Sequence, residues 1–129
     1  MSNEEVIQQF ESGAITNGEF HHADHVRVAF AYLSRYPVLE GLHKFSNVLK
    51  RIAVASGKPH LYHETITQAY FFLIRERMVR TESATWEQFV CRNRDVLTWK
   101  DGVLQKYYHE GTLRSNLARS LFILPDRGL

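Results

Sequence analysis

The sequence lacks most of what would mark a secreted, membrane-embedded or nucleic-acid-binding chain. It has one cysteine, Cys91, so no intramolecular disulfide can form, in agreement with a reducing compartment. No apolar run reaches the roughly 20 residues that a membrane-spanning helix needs. The opening MSNEEVIQQF is acidic and amphipathic, where a signal peptide would be basic and then apolar. The expectation is therefore no signal peptide, no membrane partner and a cytoplasmic location. Charge of one sign is also missing. The 16 basic and 14 acidic residues are interspersed, for a formal net charge of +2 with neutral histidines, and no strong field results. Nucleic acid is not expected as a partner. The basic clusters RERMVR (75–80) and CRNR (91–94) read as solvated helix faces, because no nucleic-acid-binding motif accompanies them.

Helix breakers are few, 3 prolines and 7 glycines, and there is no internal repeat, low-complexity tract or long linker. A chain of 129 residues, 44% apolar and 12% aromatic, suits one domain over 1–129 with a single core. The breakers fall where helices should end. Ser2 with Glu5 makes a capping box for a first helix carrying Val6, Ile7 and Phe10, with Gly13 placed to end it. Residues 13–21, including Asn17-Gly18, read as a loop. A second helix is expected over His22 to Arg35, on the stripe Val26, Ala29, Phe30 and Leu33, stopping before Pro37.

A third helix begins near Pro37, carries Val38, Leu42, Phe45, Leu49, Ile52 and Ala53, and ends at Gly57, with Pro59 closing the connection. The fourth is expected from about His60 to Arg80. Thr85 with Gln88 forms a capping box for a helix over Trp86 to Arg92, Asp101 is placed to cap one over Leu104 to Tyr108, and Leu113, Leu117 and Leu121 mark a last one. No segment sustains period-two alternation. The expected fold class is all-α, a single-domain bundle of about six to seven helices.

The histidines carry the chemical signal. In FHHADHVRVAFAYL, His22 and His25 are three apart and share one helix side, which continues into Ala29 and then Tyr32 or Leu33. His21, four before His25, competes with His22 for the same role. In LYHETITQAYFFL, His63 starts the stripe Ile66, Tyr70 and Leu73, with Glu64 on its flank. A carboxylate buried there would need a metal, a cation or a proton donor. If the second, third and fourth helices run up, down and up, His22, His25, His63 and Glu64 meet at one end of the bundle. The helix N-termini at that end favour neutral imidazoles, fit for ligation, and welcome an anionic substrate group. His60, three before His63, is a substitute ligand, while His43 and His109 read as surface residues.

Other signatures are absent. There is no HExxH, no paired ExxH of di-iron bundles, no phosphate-binding glycine loop and no pair of cysteines for a thiolate site. Cys91 reads as a small buried hydrophobe. Tyr62, Tyr70, Tyr107 and Tyr108 are candidates to line a pocket, although core tyrosines mostly pack.

The combination of an aromatic residue followed by HxADHVRVA (from Phe20), YHETIT (Tyr62 to Thr67) and a tail of the form SxxARxxFxxPD (Ser115 to Asp126) resembles a family of small, mostly bacterial proteins without an assigned reaction. The resemblance spans most of the chain and implies that His22, His25, His63 and Glu64 form a unit. The residues lead to the expectation of a metal-dependent enzyme acting on a small molecule. His22, His25 and His63 would be ligands to a divalent transition metal, and Glu64 a fourth ligand or the general base. Zinc with a metal-bound hydroxide or iron(II) suits such a set best, and manganese, nickel or copper are compatible. Two rivals are a non-catalytic metal-binding or sensing protein, with a closed coordination shell, and a helical interaction module with structural histidines.

Overall fold

The computed structural model describes residues 1–14 and 20–127. Asn17-Gly18 and most of the expected 13–21 loop lie outside the described residues. Among those described the chain is all-helical, with seven α-helices and no strand. Helix α1 (Asn3–Glu11) starts on the expected capping box: Ser2 Oγ accepts from the Glu5 N–H at 3.1 Å and Glu5 Oε1 accepts from the Ser2 N–H at 3.2 Å. Helix α2 (His22–Arg35) is followed by Tyr36 in extended backbone, the conformation that Pro37 imposes on its predecessor. Helix α3 (Val38–Ala55) ends in a left-handed cap at Gly57, φ +73°, where the Lys58 N–H reaches the Ala53 carbonyl at 2.9 Å. Helix α5 (Trp86–Arg92) uses the expected Thr85–Gln88 capping box.

Helix α2 is the central element, packed against α1, α3 and α4 (Glu64–Arg80). Its residues Val26, Ala29, Phe30 and Tyr32 join Phe10, Phe45, Phe71 and Phe89 in one core cluster. Rings meet there at 5.5–6.1 Å, as in the Phe10–Phe45, Phe10–Tyr32 and Phe45–Phe71 pairs. Among the described residues no helix is long and apolar enough to cross a membrane.

Four expectations need correction. The fourth helix starts at Glu64 rather than near His60, because Pro59–Leu61 forms a separate 3-10 turn and His63 becomes the N-cap. Asp101 caps nothing. It sits at φ +53°, and Val103–Lys106 is a 3-10 turn preceded by Gly102. The single last helix is two short ones, α6 (Glu110–Leu113) and α7 (Asn116–Ser120), because Ser115 Oγ accepts from the Ala118 N–H at 3.1 Å and starts a new helix. Leu117 and Leu121 are exposed and Ala118 is the residue buried from α7. Finally, Cys91 is exposed, not buried.

After α7 the chain runs back along α4. The buried Thr65 hydroxyl donates to the Leu121 carbonyl at 2.8 Å and accepts from the Ile123 N–H at 3.1 Å, while Tyr108 donates to the Ile123 carbonyl at 2.7 Å. Asp126 accepts from the His109 N–H at 3.0 Å and from the Thr112 hydroxyl. The tail thus fixes α6 and α7, and with them Arg119, beside the N-terminus of α4.

Candidate functional site

The N-terminal halves of α2 and α4 and the C-terminal half of α3 enclose a cavity of about 490 Å³, in the range of small-molecule sites. This is the arrangement expected of an up, down, up bundle. His22, His25 and His63 all line the cavity, whose walls are otherwise mostly aliphatic and aromatic. Among the described residues its lining includes Arg119 but no carboxylate and no lysine.

His25 projects from the first turn of α2 onto the ring of Phe20, centroid to centroid 4.0 Å. Among the described residues nothing hydrogen-bonds to its ring. Burial, and then the neighbouring His22, push its pKa down to about 4, so it is neutral at pH 7 with a lone pair to offer. His22 sits between Tyr70 and Trp99, with ring centroids at 4.7 and 5.5 Å. Its Nε2 lies 2.9 Å from the Val96 carbonyl. A carbonyl only accepts, so Nε2 carries the proton and Nδ1 the lone pair. Burial lowers its pKa, partly offset by that bond.

His63 is committed at both ring nitrogens. Nδ1 accepts from the Ile66 N–H at 3.1 Å, capping α4, and Nε2 donates to the Leu113 carbonyl at 2.6 Å. Burial holds it neutral, and the nearby Arg119 charge acts in the same direction. Glu64 is not among the residues lining the cavity. Its Oε1 accepts from Tyr62 Oη at 3.0 Å and Gln68 Nε2 at 2.9 Å, and its Oε2 lies 3.7 Å from Lys50 Nζ. The cation and donors that the sequence required for this carboxylate are therefore protein groups.

The structure thus brings three histidines to one cavity but directs them differently. Among the described residues no group of three His, Cys, Asp or Glu side chains is placed to hold one metal ion together. His21 and His60 are exposed, the first as the N-cap of α2 and the second in the 3-10 turn, and His43 and His109 are exposed as expected. Tyr62 and Tyr70 line the main cavity, whereas Tyr107 and Tyr108 line a smaller one of about 190 Å³. The Tyr70 hydroxyl is buried without a partner among the described residues, and burial, with Asp95 adding to it, raises its pKa to about 12.

Sequence reasoning missed Arg119 and Trp99. Arg119 belongs to the tail pattern SxxARxxFxxPD, and its conspicuous place there was the available signal. Trp99 stands in no helical stripe. The fold and cavity define a helical protein with an aromatic-walled pocket between its central helices. No family model, no curated protein and no solved structure matches the chain.

Proposed function

We propose that this chain is a small-molecule-binding helical domain whose ligand lies in the cavity against His25 and His22. The observation that carries the reading is the approximately 490 Å³ apolar cavity with, on its wall, the neutral His25 ring, which has no hydrogen-bond partner among the described residues. A cavity of this kind leaves apolar wall in contact with water instead of burying it, at a cost in stability. A ligand recovers that cost. Imidazole nitrogens free of protein partners give such a ligand an acceptor and, in the other tautomer, a donor.

The test is binding of the neutral probe 2-naphthamide, followed by calorimetry, to the parent and to Ala53→Trp, which places an indole in the cavity wall. The expected result is saturable binding by the parent and none by a variant that retains the parent's helical circular dichroism. Equal binding by both would put the probe on the surface and remove the cavity from the proposal.

A second reading, the metal-dependent enzyme, is favoured by one observation: the Val96 carbonyl orients His22 as a carbonyl behind a metal ligand does, leaving Nδ1 free one helical turn from His25. In that reading His22 and His25 hold a divalent metal, zinc or iron(II) before manganese, nickel or copper, with the remaining positions open to water or substrate. His63 and Glu64 then support the site without ligating. Elemental analysis of untagged protein purified without chelator tests it: one metal per chain, lost in His25→Ala, is expected. The same trace content in both proteins would leave the metal-free reading.

A further inference from the structure

Resting on the small-molecule reading, we infer that the cavity's ligand is an aromatic carboxylate, its ring among the aromatic walls and its anionic group on Arg119.

The cavity is electrically lopsided. Among the described residues Arg119 is its one permanently charged lining side chain, and no described Asp or Glu lines it to balance that charge. Among the described residues Arg119 forms no ion pair with a carboxylate; its Nη1 donates instead to the His60 carbonyl at 2.6 Å. One of its five N–H donors is thereby used and the guanidinium is held on the cavity wall, next to the N-terminus of α4. The histidines do not duplicate its role, because burial keeps His22, His25 and His63 neutral. A cationic ligand would meet Arg119 with no carboxylate among the described lining residues to offset it. A neutral ligand would leave the guanidinium unanswered, whereas a carboxylate matches its fork.

The aromatic walls select the body. Phe20 with His25, and Tyr70 with Trp99 around His22, present ring faces and edges within 4.0–6.2 Å of one another, the spacing of aromatic contacts. A flat ring extends such a cluster at lower conformational cost than an alkyl chain, which must freeze several torsions.

Calorimetric titration of the full chain at low ionic strength with 2-naphthoate, 2-naphthamide and 2-naphthylmethylamine tests the assignment. The parent should bind the acid at least about tenfold more tightly than the amide, the scale of one charge-assisted contact, and the amine most weakly. Arg119→Gln should bring the acid to within about threefold of the amide, in a variant that retains the parent's helical circular dichroism. Arg119→Lys should keep most of the preference. Should Arg119→Gln fail to fold, the three probes on the parent, together with Arg119→Lys, decide. Acid and amide binding alike in the parent, or a preference that survives in Arg119→Gln, would overturn the carboxylate assignment and leave the cavity reading standing. Binding of none of the three would overturn both.

Discussion

His63 shows how much a single position can conceal. By spacing it is an inward histidine at the start of a helical stripe, equivalent to His25. In the structure it is a helix cap whose second nitrogen is spent on Leu113. That partner is supplied by the tail, remote in sequence, and no local pattern announces it. The inward faces of His22 and His25 were legible because helical periodicity alone sets them, whereas the engagement of His63, Glu64 and Arg119 depends on tertiary neighbours. His63→Ala should cost about 2–4 kcal/mol in urea unfolding, through the lost cap and the stranded Leu113 carbonyl. Asparagine caps well but does not reach Leu113, so His63→Asn should recover roughly 1 kcal/mol of it. Equal losses would deny the ring its capping role. Glu64→Gln keeps an acceptor for Tyr62 and Gln68 outside the cavity, so it should leave the Kd for 2-naphthamide within about twofold of the parent, since surface-screened pairs contribute little. A tenfold change would bring Glu64 back into the site.

At the scale of elements, α1, α2, α3 and α5 were readable to within a residue or two because each carries its own punctuation: a capping box, Pro37 or Gly57. The region after Arg92 was not, since 3-10 turns and two short helices lack a stripe long enough to show a period. The end of α4 hides a local conflict. Glu82 occupies the left-handed position, φ +50°, that Gly57 occupies after α3. The Ser83 N–H closes the cap on the Met78 carbonyl at 3.0 Å. Glu82→Gly should therefore stabilise the protein by about 0.5–1 kcal/mol, against the usual sign for a glycine substitution. Thermal unfolding checks this, and a lower Tm would mean that the Glu82 side chain contributes more than its backbone costs. Gly102 is the opposite case: a Cβ there would lie 2.8 Å from the Trp99 carbonyl and 3.0 Å from Tyr70 Oη.

Over the whole molecule the three cavity histidines make stability depend on pH. Each has a folded-state pKa below its ordinary value of 6.5. The unfolded chain therefore takes up protons that the folded chain refuses, and stability is full above pH 6.5 and falls as pH drops below it. For His25, whose folded value is about 4, the loss extends from about pH 6.5 down to about pH 4. Between pH 7 and pH 5 that residue alone should remove about 2 kcal/mol, measured by urea unfolding. His25→Gln, which does not titrate, should flatten the curve by that amount. The most direct test of the central claim, that a neutral His25 faces a ligand in the cavity, is the imidazole nitrogen spectrum of uniformly ¹⁵N-labelled protein with and without saturating 2-naphthamide. The account predicts a neutral His25 at pH 6 whose ring nitrogens shift on binding, while those of the exposed His43 and His109 stay in place. A His25 that titrates near pH 6.5 and does not respond to the probe would contradict it.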